Sequence, residues 1–274
     1  MPYAGKMRDV IKRGQFIPSQ AAERLRIEYA DVSLVGGRDD NQDRSAVAVS
    51  ADSALLVVSD GMGGHTDGAL AAETVVRMIV EAFWSTSQPL VDPMGFLHLT
   101  LGRIHQAVVN IGARVPLEHR PRATVAVCLV QGECTWWAHI GDRRIYLIRN
   151  GVVAGRTRDH SHVEFLIREG VITAEQAPTH PMRNFVECCI GGENWLPEMS
   201  IGGYRRLAPG DCLLLCSDGL WGGVADADIA AMLSQAPAGE LGGVLNQLAQ
   251  RAVASNGSNS DNTTGAVLRW LGPT

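Results

Sequence analysis

The sequence predicts an α+β fold of packed antiparallel sheets with helices on the outside, and three observations carry that prediction. Two apolar runs end abruptly in Ser-Asp-Gly, at residues 54–61 and 212–219. Short uninterrupted runs of this kind are strands covered on both faces. Groups of such strands are separated by pairs of amphipathic stretches, the pattern of helices laid over the outer faces of sheets. Asn150-Gly151, directly after a strand-like run, is the third observation, because this dipeptide signals an antiparallel hairpin.

In chain order, residues 1–26 carry Lys6, Arg8, Lys12, Arg13 and Arg24 among few large apolar groups and read as a flexible N-terminal extension. Docking on an acidic partner is its other reading. The folded domain is expected over 27–272. Short strands and turns occupy 27–49, followed by the first Asp-Gly strand. Leu70, Val75, Met78, Ile79 and Phe83 are spaced for one buried face of a helix over 68–84. Phe96, Leu97, Leu101, Ile104 and Val108 do the same over 93–113. Strands follow at 123–130, Cys134–Ile140 and Arg144–Arg149, then a mixed segment with short helices over 160–192. After the second Asp-Gly strand come two helices, 226–234 and 239–254, and a final strand, Thr263–Trp270.

A chain of 274 residues can bury a sizeable core in one domain or two. Its apolar fraction of 46% and charged fraction of 19% are those of a soluble globular protein, and a net charge of -5 argues against general nucleic-acid affinity. No apolar run reaches the roughly 18 residues that span a bilayer. With no apolar core for a secretory signal at the N-terminus, the expected location is the cytoplasm, without a membrane partner. Cys128, Cys212 and Cys216 fall in expected strands and no C-x-x-C pair occurs, so the six cysteines read as small buried apolar residues. The adjacent Cys188-Cys189 pair also admits a redox or metal reading.

The two Asp-Gly strands deliver Asp60 and Asp218, with Gly61 and Gly219 placed to let the backbone turn beside each acid. Asp43 and Asp261 stand in comparable settings. Four carboxylates without clustered His or Cys favour Mg²⁺ or Mn²⁺ over zinc or copper. A pair of such ions about 3.5 to 4 Å apart can activate a water for in-line attack on phosphorus, so that no protein nucleophile is required. Consistently, Cys188 and Cys189 precede Ile190-Gly191-Gly192 and not a phosphate-binding cradle. Each acid also has a plain structural reading, as a turn or N-cap residue.

Arg38 with Asn41-Gln42-Asp43, Asp60-Gly61-Met62-Gly63-Gly64, Arg122-Ala123-Thr124, Ile140-Gly141-Asp142-Arg143-Arg144, Asp159-His160-Ser161, His180-Pro181-Met182-Arg183-Asn184, Ser217-Asp218-Gly219-Leu220-Trp221 and Asp261-Asn262 form an ordered motif series. From about residue 28 to 270 it resembles the bacterial metal-dependent serine/threonine phosphatases of the protein phosphatase 2C family. The resemblance implies a four-layer α/β/β/α sandwich: two central antiparallel sheets, flanked by helix pairs, with a metal site at one edge between them. It also implies hydrolysis of phosphoserine and phosphothreonine in proteins, opposing a bacterial Ser/Thr kinase, by a monomer holding two Mn²⁺ or Mg²⁺ ions with room for a third.

Residue by residue, the resemblance makes Asp60 a bridge between both ions, gives the Gly61 carbonyl to one of them, and assigns Asp218 and Asp261 to the other. Asp43 orients metal-bound water, Arg38 grips the substrate phosphate, and Asp142 with Asp218 holds a weaker third ion. Arg38 has a competing reading as a surface residue paired with Asp39 or Asp40, and Asp142 one as a turn residue. Three positions depart from the family pattern: Gln42 stands for a glutamate, Met62 for a histidine that protonates the leaving group, and Arg143 for the usual serine. His65 lies near Met62 and reads as a helix-start residue or a substitute acid. The segment 162–192 resembles the family's flap, in which His180 and Arg183 have a structural role. Two alternatives stand beside the phosphatase: a regulatory binding module without catalysis, and a two-metal phosphoesterase acting on a small-molecule phosphate. The retention of Asp60, Asp218 and Asp261 counts against the first.

Overall fold

The structure, a computed structural model, describes residues 20–22, 25–62 and 65–272, with the side chains of 20–22, 65 and 66 outside that description. Its strands are β1 (Gln20–Ala22), β2 (Ile27–Leu34), β3 (Asp43–Val49), β4 (Ser53–Met62), β5 (Arg122–Gln131), β6 (Cys134–Ile140), β7 (Arg144–Arg149), β8 (Val152–Arg156), β9 (Ile190–Gly191), β10 (Ser200–Arg206), β11 (Cys212–Cys216) and β12 (Thr263–Trp270). The helices are α1 (His65–Ser85), α2 (Pro93–Ile111), α3 (His162–Arg168), α4 (Asp218–Trp221), α5 (Asp226–Gln235) and α6 (Leu241–Asn256). One antiparallel sheet has the order β1-β2-β12-β11-β7-β8 and the other β10-β6-β5-β4-β3, with β9 paired to β5.

Alternation along the two Asp-Gly strands explains the layering, because successive side chains of a strand leave on opposite faces. Leu55 and Val57 pack with Val75, Ile79 and Phe83 of α1 and Leu101 and Ile104 of α2. Ala54, Leu56 and Val58 instead meet Leu213, Leu215, Ala266 and Leu268 of the other sheet. On β11 the pattern repeats: Leu213 and Leu215 lie between the sheets, while Cys212, Leu214 and Cys216 pack against Ile229 and Leu233 of α5 and Leu245 and Leu248 of α6. The runs 54–58 and 212–216 are therefore apolar at every position, and the layers stack as helix, sheet, sheet, helix. Burying each such Leu or Val contributes roughly 1.5–3 kcal/mol before chain entropy is set against it, so this double-sided burial is the main support of the edge that carries the acids.

Several boundaries differ from expectation. β4 continues through Asp60 to Met62, so Asp60 sits within a paired strand, whereas Asp218 lies beyond β11 and opens α4. α1 begins at His65, three residues before the expected start at 68. β10 has no counterpart in the sequence reading, because Gly202-Gly203 interrupts its alternation. It is held by pairing with β6 across a register shift between Gly202 and Arg205, and its Gly202 lies against the Trp137 indole. Within the expected extension, 20–22 pair with β2 as an edge strand, while 1–19, 23 and 24 lie outside the described residues. Cys128, Cys212 and Cys216 are buried and all six cysteines are free thiols. Among the described residues no helix is long and apolar enough to cross a membrane.

Candidate metal centre

The same two-residue period that builds the core also aims charged groups at its edge. On β4 the inter-sheet positions 54, 56 and 58 are followed by Asp60, and on β3 Val49 and Val47 are followed in the reverse direction by Ser45 and Asp43. Asp43 and Asp60 are cross-strand partners. On β7 the inter-sheet residues Leu147 and Ile145 point back to Arg143, one residue before the strand begins. Apolar side chains fill the space between the sheets until, at this end, carboxylates and a guanidinium replace them.

Arg143 is the centre of that cluster. Its side chain is 2% exposed, and its Nε and Nη2 both donate to Asp142 Oδ1, at 3.1 and 2.7 Å. Nη1 stands 3.1 Å from Asp60 Oδ2, 3.1 Å from Asp218 Oδ1 and 3.9 Å from Asp43 Oδ1. These three are contacts of charge without aligned hydrogen bonds: Nη1 has no hydrogen-bond partner, and neither does Asp43 Oδ2. Unpaired buried polar atoms of this kind are rare in folded chains and mark a strained or functional site.

Electrostatics in the cluster oppose the charged state of Asp43, Asp60 and Asp218. Burial pushes the Asp43 carboxyl up to about 7 even though Arg143 pulls it down. Asp60 and Asp218 are raised for the same reason and by repulsion from their neighbours, again with Arg143 acting in the opposite sense. Four carboxylates around one guanidinium leave the group short of positive charge. Oxygen donors, surplus negative charge and an orphaned carboxylate oxygen are what a hard divalent cation requires, so the donor chemistry fits such an ion.

Asp261 is placed apart from this cluster. It receives Arg38 in a two-pronged bridge, Nε to Oδ1 at 3.0 Å and Nη2 to Oδ2 at 2.7 Å. The structure thus gives Arg38 a different partner from the Asp39 or Asp40 of the surface reading. Asn262 holds the Arg38 loop in place: its Oδ1 accepts from Gln42 N, and its Nδ2 donates to the carbonyls of Val35 and Asp40. Between the two groups opens a cleft of about 390 Å³ lined by Arg38, Gln42, Asp60, Gly61, Asp261 and Asn262. Asp60, whose side chain is 23% exposed, borders both the cleft and the buried cluster.

The two Asp-Gly glycines serve close approach and not a sharp turn, which corrects the sequence reading. Neither has a positive φ. A Cβ on Gly61 would lie 1.9 Å from the carbonyl oxygen of Gly68 in α1, and one on Gly219 would lie 2.2 Å from that of Asn262. The glycine after each acid therefore lies against a neighbouring backbone that leaves no room for a side chain.

Other motif residues brace the site from behind. Arg144 forks onto Asp159 and stacks 3.5 Å over the Trp221 ring, whose Nε1 donates to the Asp142 carbonyl. Gly141 N donates to His160 Nδ1, which leaves the His160 Nε2 proton for Ser200 Oγ. His180 accepts from Met182 N within an exposed turn that also carries Arg183. His65 begins α1, but its side chain lies outside the described residues. The feature the sequence undervalues is Arg143, noted above only as standing in place of the usual serine. Its alternation with Ile145 and Leu147 was the signal that it points between the sheets.

A family model described as Protein phosphatase 2C matches residues 37–252. The serine/threonine protein phosphatase PstP of Mycobacterium tuberculosis is 33% identical over 230 residues, covering 84% of this chain and 42% of that protein, so the chain spans less than half of PstP. Among solved structures, the S. agalactiae serine/threonine phosphatase superposes with a TM-score of 0.81 at 28% identity, covering 89% of this chain and 99% of that one. The catalytic domain of PstP in complex with two manganese ions superposes with a TM-score of 0.73 at 29% identity, covering 89% and 97%. With the four-layer stacking, the acids at the edge between the sheets and every ordered motif except Asp261-Asn262 inside the matched segment, the chain belongs to the protein phosphatase 2C family.

Proposed function

We propose that this chain hydrolyses phosphoserine and phosphothreonine in proteins, and that its substrates are the products of a Ser/Thr kinase pathway. The observation that carries this reading is the open cleft with the Arg38 fork on one wall and Asp60 with Gly61 on the other. Asp60 and the Gly61 carbonyl would hold Mn²⁺ or Mg²⁺ at the cleft, and Asp218 and Asp261 are the further carboxylates that the family resemblance assigns to such a centre. When bound, such an ion supplies Lewis acidity, acidifying water and neutralising phosphoryl charge. Arg38 can exchange its exposed partner Asp261 for a phosphate, since a guanidinium fork makes two parallel hydrogen bonds to either. Asp43 would orient a water or hold a proton there, a role that its unpartnered Oδ2 beside Asp60 supports.

The deciding assay is Mn²⁺-supported release of phosphate from phosphoserine and phosphothreonine peptides, run beside a nucleotide panel. Turnover on peptides that exceeds turnover on nucleotides, and that chelation abolishes, is the expected result. Preference for small phosphates would shift the reading to a small-molecule phosphoesterase. A regulatory binding module is the second reading that the structure favours, because Arg143 already neutralises part of the acid cluster; phosphopeptide binding without hydrolysis would establish it.

Arg38→Ala is expected to raise KM for phosphopeptide roughly 10-fold, the scale of one charge-assisted hydrogen bond, and to weaken inhibition by free phosphate. Its effect on kcat should be smaller, because the fork meets charge present in both ground and transition states. Steady-state kinetics with phosphate as competitor reads both quantities. An unchanged KM would return Arg38 to a surface ion pair with Asp261.

A further inference from the structure

We propose that the Arg143 guanidinium is a built-in cation that takes the place of one divalent ion, so that this chain binds one Mn²⁺ where the PstP catalytic domain holds two. The inference rests on the proposed metal centre and concerns how that centre is loaded.

Two arrangements point the same way. First, the carboxylates assigned to the ion on the Asp218 side are each already engaged by a guanidinium: Asp218 by Arg143 and Asp261 by Arg38. Asp142, the further ligand of a third ion, is engaged by Arg143 as well. Nη1 fills the space between Asp60 Oδ2 and Asp218 Oδ1, at 3.1 Å from each. A divalent ion touching both oxygens would need that same space, and two cations in contact repel strongly where little water screens them.

Second, the two guanidinia are not equally free to leave. Arg38 is more than half exposed, so it can give up Asp261 to solvent or to a phosphate. Arg143 is 2% exposed and tied by two donors to Asp142. Its backbone continues into β7, where Arg144 and Ile145 pair with Cys216 and Leu215 of the central strand β11. Behind it lie Ile145 and the apolar space between the sheets, a costly setting for a displaced charge. Yet Nη1 makes no aligned hydrogen bond to the carboxylates it neutralises. It acts on Asp60 and Asp218 by charge alone, as a metal ion would, but without a metal's coordination bonds. What remains for a real ion is the cleft side of Asp60 with the Gly61 carbonyl, where the exposed Arg38 is the one cation among the described lining residues.

The test counts ions without any substrate. Metal-stripped protein is titrated with Mn²⁺ by calorimetry, its metal content is measured after desalting, and the loaded protein is examined by electron paramagnetic resonance. The wild type should take up one Mn²⁺ per chain and show the six-line spectrum of an isolated ion. Arg143→Ser should take up two and show the broadened spectrum of a spin-coupled pair. Two ions in the wild type would overturn the inference, and so would a single ion in both proteins. Should Arg143→Ser fail to fold once its four acids lose their counter-charge, the wild-type count still decides. Because no substrate is present, failure of the hydrolysis assay leaves this result standing, and the reverse also holds.

Discussion

Asp60→Asn is expected to lower hydrolysis of p-nitrophenyl phosphate by about 100-fold or more, the scale on which loss of one preorganised electrostatic partner acts on a transition state. The expectation follows from position. Asp60 is the one acid among the described residues that borders both the open cleft and the buried cluster, so an ion bound at the cleft depends on it. Removal of divalent ions by a chelator should mimic the substitution, and added Mn²⁺ should rescue the wild type but not the variant. The metal-free variant should melt no lower than the metal-free wild type. Asn has the same shape, and the lost contact with Arg143 is offset by removal of a carboxylate that its neighbours Asp43, Asp218 and Asp142 repel. Near-normal turnover by Asp60→Asn at saturating Mn²⁺ would sink the metal assignment, and full wild-type activity in excess chelator would sink the mechanism.

Much of this was legible in the chain because one physical signal carries both the fold and the site. Double-sided apolar runs such as 54–58 and 212–216 can only be sheet strands sandwiched between layers, and both emerge as β4 and β11. The helix over 93–111 and the strands Cys134–Ile140, Arg144–Arg149 and Thr263–Trp270 are likewise written in local periodicity. Asn150 and Gly151 both adopt the positive φ that their hairpin turn demands. What was not legible depends on tertiary contact. β10 exists because Trp137 and β6 receive its glycines, and nothing in Ser200–Arg206 read alone favours a strand. The purpose of Gly61 and Gly219 was misread for the same reason, since the carbonyls of Gly68 and Asn262 that exclude a side chain are distant in sequence or on another element. At the site, the motif order located all the acids, but their pairing with Arg143 and Arg38 depends on which faces meet. A sequence shows that Arg143 is charged; only the closed sandwich shows that no water reaches it.

The largest expected loss of stability lies at the opposite end of the strand pair that carries the Arg38 loop and Asp261. Glu28 on β2 and Arg269 on β12 are direct cross-strand partners, 5% and 7% exposed. Arg269 Nη1 donates to Glu28 Oε2 at 3.2 Å, and its Nη2 donates to the Leu233 carbonyl near the end of α5. Glu28 Oε1 accepts from Leu241 N, the first residue of α6. The pair thus adds a partner to a carbonyl at one helix terminus, which also accepts from the Ala236 amide, and satisfies the first amide of the next helix, which has no partner within that helix. Glu28→Ala strands the Arg269 charge in a buried site and uncaps α6, which should cost about 3–5 kcal/mol. Glu28→Gln keeps an acceptor for Leu241 N and should cost less. Urea unfolding followed by tryptophan fluorescence reads the order: Glu28→Ala least stable, Glu28→Gln intermediate, wild type highest. Because the acids sit at the far edge of the sandwich, Mn²⁺-dependent turnover per folded molecule should stay at the wild-type level in both variants, the reverse of the pattern expected for Asp60→Asn. Coincident unfolding midpoints for all three proteins would show that the buried pair adds nothing to the fold.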